Sequence, residues 1–183
     1  YTTTAKSSPV SVVGGFTDWC QVSVGYGHVV AVRTNGTVWT WGSNSFGQLG
    51  RLWTTIYSPI QIASTSNWLK VNAGTTHFLA IDTSNALWAM GNNSWGQLGT
   101  SDLTHRSSIT QIGSSYNWSQ IACGDVFSIA LNSLGQLWAW GNNSYGQLGQ
   151  GDYTHRSSPV QVGTINRYTN IFALSNTVVC ELT

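Results

Sequence analysis

A ten-residue block that occurs three times constrains this chain more than any other feature. Trp41–Gly50 reads WGSNSFGQLG, Met90–Gly99 reads MGNNSWGQLG and Trp140–Gly149 reads WGNNSYGQLG, at spacings of 49 and 50 residues. A second marker keeps the same step: Ser8-Pro9-Val10 returns as Ser58-Pro59-Ile60, Ser108-Ile109-Thr110 and Ser158-Pro159-Val160. A third does so as well, because Trp19, Trp68, Trp118 and Tyr168 each open a strand-like stretch, leading into Gly25, Gly74 and Gly124 in the first three copies. Markers that share one period define a repeat protein, in which a unit cannot bury its apolar face alone and must lean on its neighbours.

Within a unit the local signals are those of strands. Gln120–Leu131, QIACGDVFSIAL, is apolar and β-branched with a glycine in its middle and carries no stripe of 3.6-residue period. Leu137-Trp138-Ala139-Trp140 is a short aromatic strand between the turns Asn132–Gly135 and Gly141–Asn143, and the matching turn of the first unit holds the hairpin pair Asn35-Gly36. The fold class expected is all-β: propeller blades of four antiparallel strands, three complete and a partial fourth, with units at 8–57, 58–107, 108–157 and 158–183. The opening Tyr1–Ser7 looks like the loop before a blade and the chain stops inside a unit, so a fragment of a longer ring is expected. An incomplete blade leaves an open edge that can pair with another strand.

The block W-x-W-G-x-N-x-x-G-Q-L-G, followed by S-P-V and by a strand with G-x-x-H-x-x-A, resembles the repeat of the regulator of chromosome condensation family. That resemblance covers about Ser8 to Leu182 and implies blades of a seven-bladed propeller. It also implies, as one function, nucleotide exchange on small GTPases or regulation at chromatin. The chain shows neither a long insertion between strands nor a basic tail to support either.

Composition removes other classes. Seven basic against six acidic residues, with 7% of residues charged, leave no cationic excess to neutralise a phosphate backbone, so direct nucleic-acid binding is not expected. No apolar run approaches the ~20 residues of a membrane-spanning helix. Cys20, Cys123 and Cys180 lack metal-ligand spacing, and no cofactor is implied. Low charge and a surface rich in Asn, Ser and Thr suggest a virion or extracellular setting.

The G-Q-L-G glycines are read as turn formers and not as a phosphate cradle, since no Lys-Ser/Thr follows them. Leu49, Leu98 and Leu148 are expected to plug the space between blades. His28 and His77 share their position with Phe127 and Thr177, which favours packing over metal binding or catalysis.

The sharper candidates lie in a loop repeated in two units, Asp102-Leu103-Thr104-His105-Arg106 and Asp152-Tyr153-Thr154-His155-Arg156. Between Met90–Ile112 and Trp140–Val162, 15 of 23 positions are identical. Earlier units lack His-Arg there, so either recent duplication or a shared partner surface explains it. Asp125 stands where other units carry Tyr26 and Thr75, and is a further partner candidate. Trp53 and Trp95 are the aromatics that could stack on a glycan, Trp53 being the better because Phe46 and Tyr145 match Trp95. The reading is therefore a non-catalytic structural or protein-interaction propeller, completed by protein partners, further blades or an oligomeric assembly, with exchange factor and glycan binder as alternatives.

Overall fold

The computed structural model describes residues 6–51, 54–63, 67–114, 117–165 and 167–182, and these contain strands and turns but no helix. The first sheet comprises β1 (Trp19–Val24), β2 (His28–Arg33), β3 (Val38–Gly42) and β4 (Ile56–Gln61). The second holds β5 (Trp68–Ala73), β6 (His77–Asp82), β7 (Leu87–Gly91) and β8 (Arg106–Gln111), and the third β9 (Trp118–Cys123), β10 (Phe127–Asn132), β11 (Leu137–Gly141) and β12 (Arg156–Gln161). A hairpin of β13 (Tyr168–Leu174) and β14 (Thr177–Leu182) completes the described chain. Every sheet is antiparallel and ordered as in the sequence.

The sheets are phased differently from the sequence units. The S-P-V marker that opens a unit lies in the outermost strand of the preceding sheet: Ser58-Pro59-Ile60 in β4, Ser158-Pro159-Val160 in β12. An outer edge suits proline, which has no N–H to give a ladder.

Three apolar cores lie between successive sheets and not inside any one of them. Val30, Val32 and Val38 of the first sheet face Val71, Phe78 and Met90 of the second. Leu79, Ile81 and Leu98 on the second sheet's other side meet Trp118, Ile121 and Trp140. Phe127, Ile129 and Leu148 of the third meet Ile171 of the hairpin. A sheet sandwiched on both faces has no solvent side, so β6 and β10 are buried at all six positions. This is why the sequence of these strands does not alternate. The strands β1, β5, β9 and β13 touch one another in series and form the inner wall of a partial ring.

Strand direction sorts the connections. In an antiparallel meander the β1–β2 turn and the β3–β4 loop fall at one end of the sheet and the β2–β3 turn at the other. The Gly25–Tyr26 turn therefore shares a face of the ring with the G-Q-L-G turns and the Asp-x-Thr-His-Arg loops.

Candidate functional site

The repeated ten-residue block is built around its Asn and Gln. Asn93 Oδ1 accepts the Leu98 N–H at 2.9 Å, and Gln97 Oε1 accepts the Trp95 N–H at 2.9 Å. Asn143 and Gln147 do the same for Leu148 and Tyr145 at 2.9 Å each, and Asn44 and Gln48 for Leu49 and Phe46 at 2.9 and 2.8 Å. The turn so fixed drives its leucine inward: Leu49, Leu98 and Leu148 are no more than 1% exposed. The second glycine-bearing position, at Gly47, Gly96 and Gly146, has φ between +75° and +78°, where a Cβ would be strained.

Two of these turns, at Gly47 and Gly96, meet the next sheet. A Cβ on Gly47 would lie 2.8 Å from Ser107 Cβ, and one on Gly96 would lie 2.6 Å from Ser157 Cα. Beside that approach, the Phe46 ring meets His105 edge to face at 5.4 Å and the Trp95 ring meets His155 at 4.8 Å. The indole of Trp140 donates to Gln97 O of the preceding turn at 2.9 Å.

The Asp-x-Thr-His-Arg loops therefore serve the joints. His105 Nδ1 accepts the Asn93 N–H at 2.9 Å, and His155 Nδ1 accepts that of Asn143 at 2.9 Å. Asp102 pairs with Arg106, and Asp152 with Arg156 at 2.7 Å, while both carboxylates also accept the N–H two residues on. For Asp152 the Thr154 N–H and then Arg156 hold the carboxyl below the usual carboxylate range. The side chains between them point outward: Leu103 is 60% exposed and Tyr153 73%. The loops the sequence singled out are thus brought together on one face, with their polar residues engaged within the chain.

Asp125 also bridges neighbours. Its Oδ1 receives Thr75 Oγ1 at 3.3 Å and its Oδ2 receives Ser175 Oγ at 2.8 Å, spanning three sheets. The backbone repeats the step, Tyr26 N–H donating to Thr75 O, Thr75 N–H to Asp125 O, and Asp125 N–H to Ser175 O. Trp53 lies outside the described residues.

Sequence reasoning missed a second set of bridges, on the inner wall. The Gln21 amide binds both N and O of Val71 at 3.0 Å each, Lys70 donates to Ser119 O at 2.6 Å, and Gln120 binds Thr169 O and the Ile171 N–H at 2.6 and 3.3 Å. Gln21, Lys70, Gln120 and Asn170 occupy one repeat position and line a cleft of about 570 Å³. Their shared place two residues after the strand-opening aromatic was a signal available in the sequence.

The histidines at the repeated G-x-x-H position are buried. His77 Nε2 bonds Ser128 Oγ at 3.0 Å, and since that hydroxyl donates to Gln97 O at 2.7 Å, the imidazole is the donor and Nδ1 bears no proton. Burial pushes His28 down to about 4 and His77 to about 3. Gly25, Gly74 and Gly124 make room for the ring three residues on, His28, His77 and Phe127 respectively. Among the described residues no group of three or more His, Cys, Asp or Glu could hold a metal, and no helix is long and apolar enough to cross a membrane.

The sheet geometry has counterparts of known structure. Human WBSCR16 superposes with a TM-score of 0.79 at 20% identity over 90% of this chain and 44% of its own. Prp20p of Saccharomyces cerevisiae does so with a TM-score of 0.77 at 18% identity, over 88% of this chain and 43% of its own. The same yeast protein bound to Kap60 gives 0.79 at 20% identity, over 90% and 42%. The chain thus spans under half the length of these propellers, and at such identity the likeness is one of fold. In sequence, 32 residues are 59% identical to Ras guanine nucleotide exchange factor C of Dictyostelium discoideum, covering 18% of this chain and 2% of that protein. The regulator of chromosome condensation (RCC1) repeat matches residues 35–81, 84–131 and 135–178, and a second model of the same repeat matches 19–48 and 118–147. With most of its length accounted for by that repeat, the chain belongs to the RCC1 repeat family.

Proposed function

We propose that this chain is a non-catalytic protein-interaction module whose partner docks on the face that gathers the β1–β2 turns and β3–β4 loops. One observation carries the reading: on that face Tyr26 is 90% exposed, Tyr153 73% and Leu103 60%, above a framework whose polar side chains are already engaged in the joints. Exposed tyrosines on a rigid scaffold supply large contact area at low entropic cost, and clustered exposed apolar groups mark interaction surfaces. Asp102, Arg106, Asp152 and Arg156 would form the polar rim.

The test is a triple variant, Tyr26→Ser, Leu103→Ser and Tyr153→Ser, compared with the parent as bait for cross-linked partners. Loss of capture with an unchanged Tm supports the proposal. Equal capture by both proteins moves the partner surface elsewhere.

A second reading, nucleotide exchange, draws on the short identity to Ras guanine nucleotide exchange factor C and on the likeness to Prp20p, a protein described as binding Gsp1p and histones. Release of a fluorescent guanine nucleotide from Ras and from Gsp1p, with and without this chain, decides it. Acceleration by the chain would replace the first reading. A glycan stacking on Trp95 would share a ring that is 41% exposed and already packs edge to face on His155. The virion or extracellular setting suggested by low charge draws no support from the relatives, and the proposal is made without it.

A further inference from the structure

The paired indoles of the second and third sheets each wall a cavity where that sheet meets the one before it. Trp68 and Trp88 stand edge to face at 5.6 Å beside a space of about 360 Å³, and Trp118 and Trp138 at 6.0 Å beside one of about 370 Å³. The two cavities differ in chemistry. In the earlier one Ile62, Ala63 and Ile109 leave Asn67 and Ser108 as the polar side chains beside the indoles. The later one offers Ser101, Asn117, Asn132, Gln136 and Ser158, and none of its lining residues is charged. Gln136 stands where the preceding unit has Ala86, which is 1% exposed, so packing does not require an amide there. Ser101 is held at φ +63° where the next unit has Gly151 at +76°. That conformation costs a serine about 1 kcal/mol, which glycine would avoid.

The balance of donors and acceptors differs as well. In the second sheet Asp82 takes the Trp88 indole N–H at 2.9 Å. Asn132, at the same place in the third, accepts the N–H groups of Leu134 and Gln136 at 3.0 Å each and donates to Gln136 Oε1 at 2.6 Å. The indole N–H of Trp138 is therefore buried without an acceptor, as is that of Trp118. A buried donor left so costs about 1–3 kcal/mol until an acceptor arrives.

We propose that the cavity between the second and third sheets binds one ring of a neutral saccharide. A pyranose has apolar C–H faces and a rim of hydroxyls that both donate and accept, which is what two indoles and five neutral polar side chains can receive. Its oxygens supply the acceptors that Trp118 and Trp138 lack, and the Gln136 amide N–H groups add further donors. Phosphorylated or carboxylated sugars find no cation in the wall. A polyproline peptide, another neutral ligand with affinity for indoles, brings carbonyl acceptors but no backbone donors for the amide and hydroxyl oxygens of the wall. The site uses none of Tyr26, Leu103 and Tyr153, and neither Trp53 nor Trp95.

The probes are glucose, galactose, mannose and N-acetylglucosamine, each titrated into the full chain to about 50 mM, where a site of millimolar Kd is filled. Decaproline is titrated alongside. The readout is the indole N–H resonances, assigned by single Trp→Phe variants. At least one sugar should move the Trp118 and Trp138 signals saturably and leave those of Trp68 and Trp88 in place. Gln136→Ala should weaken that sugar about fivefold, the worth of one hydrogen bond. Ser101→Gly should weaken it about threefold while Tm holds or rises. Both variants carry a residue that a neighbouring unit already has at the same place, Ala86 and Gly151, so the fold is kept. Absence of movement at Trp118 and Trp138 with every sugar, equal movement at Trp68 and Trp88, undiminished affinity in both variants, or movement by decaproline alone overturns the proposal. The reading of the Tyr26 face is tested separately and stands or falls without this one.

Discussion

Gly96 and Gly146 share their sequence context and backbone conformation, with φ of +78° and +75°, and differ in what lies outside them. Replacing either by alanine introduces the same left-handed strain, about 1 kcal/mol. At Gly146 nothing further is met below 3.8 Å. At Gly96 the new methyl would lie 2.6 Å from Ser157 Cα and 2.9 Å from Arg156 O, both backbone atoms of β12 that no rotamer change can move. Normal carbon separations are ~3.5 Å or more, so the third sheet must shift by nearly an ångström against the second. Overpacking of that kind costs about 1–3 kcal/mol beyond the strain. Gly96→Ala should therefore lose roughly 2–4 kcal/mol and Gly146→Ala about 1 kcal/mol. At 2–4 °C per kcal/mol for a chain of this size, their Tm values should differ by roughly 2–12 °C. Calorimetric Tm and urea midpoints of the two variants measure the gap. Equal losses would refute the claim that the G-Q-L-G turn is glycine-bound by the next sheet and not only by its own φ.

Two more outcomes follow from buried polar groups. His28 and His77 are held neutral, with pKa values of about 4 and 3 against 6.5 when unfolded, so the unfolded chain binds the extra protons. Their contribution to stability is complete above pH 6.5 and is lost as pH falls from there toward 4, by up to about 1.4 kcal/mol per pH unit for each histidine. His77→Phe, the residue Phe127 already supplies one unit later, should flatten the acid limb of a urea-midpoint profile measured from pH 7 to 4.5. An equally steep limb would exclude His77 as its cause. Asp82 accepts Ser84 N, Ala86 N and the Trp88 indole, whereas Asn132 at the same place keeps its turn bonds but leaves the Trp138 indole N–H without a partner. Asn132→Asp should then stabilise at pH 7 by about 1 kcal/mol as Gln136 turns its amide, and Asp82→Asn should cost about 1–2 kcal/mol. Denaturant titration of the pair reads both signs.

Much of this architecture could be read from periodicity. Trp19, Trp68, Trp118 and Tyr168 do open strands, and the block leucines do seal the seams, because a residue needed at every joint recurs at every step. The phase was harder to see. S-P-V begins a unit on paper but ends a sheet in space, since hydrogen bonding joins it to the W-x-W-G strand before it: Ala139 pairs with Val160, and Ala89 with Thr110. The candidate loop was legible as a loop, and its division of labour was not. His105 packs on the previous unit's Phe46, a contact 59 residues away that no local pattern encodes. Asp125 is the same case at a 50-residue step, joined to both Thr75 and Ser175.

The second and third fifty-residue stretches each carry, on one side, a glycine turn bearing an aromatic and, on the other, the histidine and serine that receive the turn of the stretch before. A tandem copy of the coding segment would therefore arrive with both halves of its own fastening, fitted to the old neighbour and ready for the next. Growth by whole units needs no compensating change at the junctions. The second and third stretches share the receiving pair, His105 with Ser107 and His155 with Ser157, as such copying would leave them.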